Sequence, residues 1–186
     1  MKKVDIVIEN GTILTMDSQE NRLENGFLCI TGDHISHMGA DISNDAFEAE
    51  KRIDARGGLV MPGLINCHTH AAMSLFRGLA DDLPLMEWLN NYIFPAESMM
   101  DAGFVHTGSL LACAEMILSG TTTFCDMYLF EDEVAKAAHK IGMRCLVGEV
   151  LYDFPSPNYG PPEKGLEYSE MLIKKWEKDP LVNIAV

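Results

Sequence analysis

The chain has 186 residues, 47% of them hydrophobic, and 14 basic against 28 acidic side chains give it a formal net charge of −14. This composition supports a globular core, and the negative field argues against nucleic acids and acidic membranes as partners. The N-terminus lacks the apolar core of a signal peptide, and the five scattered cysteines form no CxxC pair. We therefore expect a cytoplasmic protein with reduced thiols.

The first 58 residues predict a small β unit. Three β-branched runs, beginning at Val4, Gly26 and Lys51, are bordered by residues that favour turns. We predict turns at Asn10-Gly11, at 31–33 and at Gly57-Gly58, because glycine, asparagine and aspartate tolerate the backbone angles that turns require. Residues 1–58 are therefore expected to form the first domain.

Residues 59–186 predict alternating strands and helices. The strands LVMPGLINC, TTTFCDMYL, RCLVGEVLY and LVNIAV alternate with helical stretches at 84–94 together with 101–119, at 131–141 and at 163–178. Such repeats favour a parallel sheet covered by helices. The spacing fits either an open doubly wound sheet or about half of an eight-stranded βα barrel, which needs roughly 250 residues. The longest apolar stretch, 102–118, is too short to span a bilayer and predicts a core helix.

Two histidines, His68 and His70, stand in PGLINCHTH at the end of the first of these strands. Side chains alternate along a strand, so both imidazoles are expected on the same side, where two ring nitrogens can bind one metal ion. The ends of parallel strands are also where βα folds place active sites. The alternative is a pair of surface histidines, because a bare HxH is a weak signal.

The run MPGLINCHTHAAMSLFRGLADDLPLMEWLNNYIFPAE, residues 61–97, resembles the amidohydrolase superfamily. Within it, the run is similar to the branch of methylthioadenosine and S-adenosylhomocysteine deaminases, with related triazine hydrolases. The resemblance spans essentially the whole chain and implies a (β/α)8 barrel with a β-sandwich built from both chain ends. The chain would then be an α/β fragment, with sandwich strands in 1–58 and the first four βα units of a TIM barrel in 59–186.

The resemblance also implies one divalent metal, usually zinc and sometimes iron. His68 and His70 would be its first two ligands, and a third histidine, an aspartate and the catalytic residues are expected beyond Val186, so this fragment alone should be inactive. A zinc-type ion lowers the pKa of its bound water toward about 7. The resulting metal-bound hydroxide can add to the ring carbon that bears an amino group, and ammonia leaves. We therefore predict a hydrolytic deaminase of a nitrogen heterocycle, with an adenosine derivative such as methylthioadenosine or S-adenosylhomocysteine as substrate.

Two residues are candidates for substrate binding. Glu97 follows Pro95, where the pattern predicts the end of an amphipathic helix, and by pattern alone Glu97 is a solvated acid. In the resembling deaminases the matching glutamate binds ribose, and Trp88 would lie near the same pocket mouth. Where family members carry a substrate-binding arginine at the end of the third strand, this chain has Glu149, and we expect that reversed charge to change what the pocket accepts.

Several alternatives remain open. The same metal chemistry would permit a hydrolase that removes chloride or an alkylamine from a triazine, and a different class would be a non-catalytic relic of the fold. Asp126 could face the site or serve a structural hydrogen bond, and the role of Asn66 is unresolved. The expected partner is a small heterocyclic substrate, and the sequence leaves open whether the protein forms a homo-oligomer.

Overall fold

The computed structural model describes residues 1–19, 21–40 and 46–186. The chain divides into two compact units, Met1–Pro62 and Gly63–Val186. Within the described residues, no helix combines the length and apolar character that crossing a membrane requires.

The first unit is built on one mixed sheet. Its strand order is β3-β2-β1-β4, with β5 also paired to β1. Neighbours are antiparallel within β1-β2-β3, whereas β4 and β5 run parallel to β1. The strands are β1 (Lys2–Leu14), β2 (Arg22–Thr31), β3 (His34–Ala40), β4 (Phe47–Asp54) and β5 (Leu59–Val60). The two residues of β5 were predicted to belong to the second domain, but they pair with the sheet of the first unit.

One of the three predicted turns in this unit is wrong. Strand β1 continues through Asn10-Gly11, because Asn10 takes a left-handed backbone conformation (φ 59°) and the register with β2 shifts between Ile8 and Gly11. Such a bulge absorbs the extra residue without ending the strand. The turns predicted around Gly32 and Gly57 are confirmed, and both glycines have positive φ, 61° and 75°.

The second unit contains the predicted parallel sheet. Its strands lie in the order β6-β7-β8-β9, and every neighbouring pair is parallel. The strands are β6 (Leu64–Thr69), β7 (Thr121–Tyr128), β8 (Arg144–Glu149) and β9 (Val182–Ile184). The predicted strand 59–67 is divided into β5 and β6 on either side of Pro62-Gly63, since proline has no N–H to donate to a sheet.

Helices follow the strands of this unit. They are α1 (Leu85–Trp88), α2 (Phe94–Glu97), α3 (Ala102–Leu118), α4 (Glu131–Ile141) and α5 (Lys164–Trp176), with a short 3₁₀ helix at Ala71–Phe76. Asp101 caps α3 by accepting the N–H of Phe104 at 2.8 Å. Gly120 and Gly142, predicted as C-caps, both have positive φ, 85° and 84°. The core between the sheet and these helices includes the fully buried Leu129 and Val134.

The helix predicted to end at Pro95 instead continues to Glu97. A π-helical turn at Leu89–Ile93 joins α1 to α2. Pro95 therefore lies in the first turn of α2, directly after this π-helical turn. Sequence periodicity does not reveal such a wide turn, and its effect is to keep Glu97 helical.

Helix α3 packs directly against the 3₁₀ helix that follows β6. A Cβ atom on Gly108 would lie 2.6 Å from the carbonyl oxygen of Ala72 and 2.9 Å from its Cα. The hydroxyl of Ser74 also donates to the Gly108 carbonyl at 3.0 Å. Only glycine permits this approach of two backbones, so α3 sets the position of the segment that begins just after His70.

Candidate metal centre and adjoining cavity

The two candidate metal ligands lie side by side at the end of β6. His68 is exposed within the strand, and His70 is half-buried just beyond it. Their ring centroids are 5.0 Å apart with an interplanar angle of 77°. The rings therefore neighbour each other at the carboxyl end of a parallel strand, as the alternation of strand side chains predicts.

The backbone of β7 determines which nitrogen of His70 can bind a metal. The Nδ1 atom of His70 is hydrogen-bonded to the carbonyl oxygen of Met127. A carbonyl can only accept, so Nδ1 carries the hydrogen and Nε2 of the neutral ring keeps its lone pair. A metal-binding histidine usually donates its other ring N–H in a hydrogen bond of this kind, which fixes both the tautomer and the orientation of the ring.

Two imidazoles make only part of a metal site. In the part of the chain that the structure describes, no group of three or more His, Cys, Asp or Glu side chains is arranged to hold a metal ion. A catalytic zinc normally has three protein ligands and a water. His68 and His70 therefore fit a divalent metal as two of its donors, and the described residues do not complete the donor set.

Asp126 supports the backbone next to His70. It is 2% exposed, and its Oδ1 accepts the N–H of Ala71 at 2.8 Å. Burial raises the pKa of Asp126 to about 6, although this hydrogen bond opposes the shift. Glu131 is buried beside it, and burial together with the nearby Asp126 raises the pKa of Glu131 above its usual range. Of the two roles considered for Asp126, the structure favours the structural one.

Asn66 also has a local hydrogen-bonding role. Its Oδ1 accepts the backbone N–H of His68 at 3.3 Å, and its Nδ2 lies 3.8 Å from the sulfur of Met116. Asn66 therefore stabilises the end of β6 around the backbone of His68.

A cavity of about 220 Å³ opens beside His70. Its walls are mainly apolar, and Glu97 is its acidic side chain. The residues that matter for function are His70, Met73, Trp88, Glu97, Tyr128 and Tyr152. The structure thus brings His70, Trp88 and Glu97 together, whereas His68 does not line this cavity.

Glu97 is a buried acid, so the interpretation as a solvated acid is wrong. It is 5% exposed at the end of α2, and the hydroxyl of Tyr152 donates to its Oε2 at 3.3 Å. Burial raises the pKa of Glu97, and the hydroxyls of Tyr128 and Tyr152 together with the nearby His70 offset part of that rise. The π-helical turn before α2 is what keeps this carboxylate in the cavity wall.

A larger open depression of about 600 Å³ also touches His70. Its acidic side chain, Glu115, is paired with Arg77 through two hydrogen bonds of 2.7 and 3.0 Å. A carboxylate already paired in this bidentate way has less capacity for a ligand. The Glu97 cavity is therefore the better candidate for substrate binding.

Glu149 does not line the Glu97 cavity, so the expectation that its charge alters the pocket is not supported. Its two carboxylate oxygens accept the backbone N–H groups of Phe130 and Glu131 at 3.2 and 2.9 Å, and Asn158 donates to Oε1 at 2.8 Å. Burial raises the pKa of Glu149 to about 7 even though these hydrogen bonds lower it. Glu149 thus satisfies the first N–H groups of α4.

Sequence reasoning missed Tyr128 and Tyr152, the two hydroxyls beside Glu97. Tyr128 ends β7, and Tyr152 lies three residues beyond the end of β8. The rule that parallel strands present functional residues at their carboxyl ends would have found both. The hydrogen bond from His70 to the Met127 carbonyl could not be predicted in this way, because every residue has a backbone carbonyl whatever its side chain.

Comparison with known proteins identifies the family. A model of the amidohydrolase family matches residues 59–185. The chain belongs to the amidohydrolase family. It is 56% identical over 185 residues to a 5-methylthioadenosine/S-adenosylhomocysteine deaminase of Syntrophobacter fumaroxidans, and the match covers 99% of this chain and 42% of that protein. The predicted superfamily and branch are thereby confirmed.

Solved structures share the fold of this chain. A zinc-bound adenosine deaminase from Xanthomonas campestris superposes with a TM-score of 0.93 at 34% identity, covering 99% of this chain and 42% of that one. A zinc-bound atrazine chlorohydrolase from Arthrobacter aurescens has a TM-score of 0.84 at 23% identity, covering 97% and 46%. The predicted fold, a partial barrel preceded by N-terminal strands, is confirmed, and the chain spans less than half the length of the proteins it matches.

Proposed function

We propose that the full-length protein containing this chain is a metal-dependent deaminase of an adenosine derivative, with methylthioadenosine or S-adenosylhomocysteine as the first candidates. Water and the substrate would give ammonia and the corresponding oxo derivative. The observation that carries this proposal is one cavity that joins the candidate ligand His70 to the buried carboxylate of Glu97. The relative named a methylthioadenosine and S-adenosylhomocysteine deaminase supports the same substrate class.

The metal would be held by His68 and His70 together with donors outside the described residues. Zinc is the first choice, because it is bound in the similar adenosine deaminase structure. When bound, such an ion supplies an activated water at neutral pH. The chain's own contribution is to hold the His70 ring in one tautomer through Met127 and to fix the following turn through Asp126.

Glu97 would bind the sugar of the substrate. A carboxylate has about four acceptor sites, so it can take two vicinal hydroxyls in addition to the Tyr152 hydroxyl. Trp88 and Met73 line the same cavity and supply apolar surface for the uncharged parts of a nucleoside. A buried carboxylate is poorly suited to a triazine without hydroxyl groups, which is why the triazine hydrolase remains the second candidate.

The test is a substrate panel with the metal-loaded full-length protein. Ammonia release would be measured with adenosine, methylthioadenosine, S-adenosylhomocysteine, guanine derivatives and chloro- or alkylamino-triazines, with chloride also followed for the triazines. We expect turnover of the adenosine derivatives. Turnover of triazines alone would favour the second candidate, and failure of every substrate would favour a non-catalytic relic.

A further inference from the structure

We propose that Tyr152 is a positioning residue for sugar recognition, because its hydroxyl holds the Glu97 carboxylate in the orientation that accepts the ribose hydroxyls. This inference rests on the proposed function. It concerns a residue that follows β8, whereas Glu97 ends α2, so two separate segments of the second unit combine in one recognition element.

The first support is the contact itself. The Tyr152 hydroxyl donates to Oε2 of Glu97 at 3.3 Å, and both residues line the cavity beside His70. A glutamate side chain has three rotatable bonds, and ordering them when a ligand binds costs free energy. A hydroxyl that already holds the carboxylate reduces that cost before the sugar arrives.

The second support is the rigidity of Tyr152. Its ring stacks on Phe154 with centroids 4.3 Å apart at 17°, and Phe94 approaches it edge-on at 6.2 Å and 77°. Its backbone N–H donates to the Tyr159 hydroxyl at 2.9 Å, and that hydroxyl donates to the Val150 carbonyl at 3.0 Å. A side chain locked by packing and hydrogen bonds can transmit its position to a functional group.

The third support is the charge that the role requires. Accepting two hydroxyls calls for an ionised Glu97, yet burial raises the pKa of Glu97 and so disfavours the ionised form. The hydroxyls of Tyr152 and Tyr128 lower that pKa. Burial and the nearby Glu97 carboxylate also raise the pKa of Tyr152, so its hydroxyl remains a donor at neutral pH.

The experiment compares Tyr152→Phe with the wild type in the full-length, metal-loaded protein. Phenylalanine keeps the ring contacts and removes only the hydroxyl. We expect the KM for adenosine to rise about tenfold, the upper order of the cost of ordering one long side chain when a ligand binds, while kcat changes less than twofold. For 2′,3′-dideoxyadenosine, which lacks the hydroxyls that Glu97 would bind, both KM and kcat should stay within twofold of the wild type.

Two further variants make the test specific. Tyr92→Phe removes the hydroxyl of an exposed tyrosine in the π-helical turn before α2, which does not line the cavity, and should leave all constants unchanged. In a Glu97→Gln background, Tyr152→Phe should cause little further loss, because the hydroxyl acts through the carboxylate. Equal KM increases for adenosine and its dideoxy analogue, or fully additive losses, would overturn the inference. A wild type inactive on every nucleoside would contradict the proposed function instead.

Discussion

The His70 ring is hydrogen-bonded to the Met127 carbonyl and lies beside the His68 ring. The proposed function uses one nitrogen of each ring as a metal ligand. We expect His68→Ala and His70→Ala in the full-length protein to lower the bound metal well below one equivalent and to abolish ammonia release. The reason is that water replaces a lost imidazole poorly. Metal analysis of the purified variants measures this directly. His34→Ala, at an exposed histidine of the first unit, is the matched control and should bind metal normally.

Glu97 should discriminate between nucleosides and free bases. We expect Glu97→Gln to weaken binding of adenosine by about 10- to 100-fold, because a hydrogen bond to a charged group contributes roughly 1.5 to 3 kcal/mol. Binding of free adenine should change far less. Competitive inhibition constants for the two compounds provide the measurement, and an equal loss for both would show that Glu97 does not contact the sugar.

The sequence predicted which residues lie together at the site better than it predicted how deeply they are buried. The neighbouring positions of His68 and His70 follow directly from strand alternation. The burial of Glu97 could not be predicted, because it depends on the π-helical turn at Leu89–Ile93 and on two distant tyrosines, one at the end of β7 and one after β8. Spacing along the chain carries no information about contacts between elements far apart in sequence.

At the scale of elements, the start of α4 depends on a carboxylate from the neighbouring strand. Glu149 accepts two N–H groups there, and burial raises its pKa from 4.5 to about 7. A group with a raised folded-state pKa contributes stability that is complete below pH 4.5 and is lost as the pH rises through 7. The shift corresponds to roughly 3 kcal/mol.

We therefore expect the wild-type protein to lose thermal stability between pH 5 and pH 8 more steeply than Glu149→Gln. Glutamine keeps an oxygen that accepts an N–H but cannot ionise. Both proteins share the buried acids Asp126 and Glu131, so the difference between their melting curves isolates Glu149. Parallel dependence on pH in the two proteins would contradict this account.

The strands and helices were predicted correctly where one local pattern determines the structure, and incorrectly where two influences favour different structures. The parallel strands and α4 follow from apolar runs and glycine caps, and the structure contains them. Proline commonly ends a helix, but at Pro95 the helix continues after a π-helical turn. Asn10-Gly11 favours a turn by residue type, but β1 continues through it and pairs with strands on both of its sides. At Asn10-Gly11, strand pairing decided the outcome.

At the scale of the whole molecule, the edge strand β6 makes residues 1–186 prone to self-association when they are expressed alone. Ile65 is 67% exposed and Leu64 is 51% exposed on this strand. A strand that is paired on one side only and carries exposed apolar side chains favours association with other chains. We expect residues 1–186, expressed alone, to aggregate or self-associate in size-exclusion chromatography and to lack ammonia release, in contrast to the full-length protein.

Ile65→Thr is a useful companion variant for this experiment. It keeps a β-branched residue in β6 and removes most of the exposed apolar surface, so it should shift the isolated chain toward monomer without restoring activity. A monodisperse, metal-loaded and active wild-type fragment would refute the prediction.

The contact between Gly108 and Ala72 has a practical consequence for protein engineering. Exposed α3 positions such as Leu111 and Leu118 are natural targets for substitutions that improve expression, because polar side chains there meet solvent. Position 108 is different, since even one methyl group would push α3 away from the backbone two residues after His70. A combinatorial library on this helix should keep glycine at that codon, because a side chain there would collide with the backbone of the segment that follows His70.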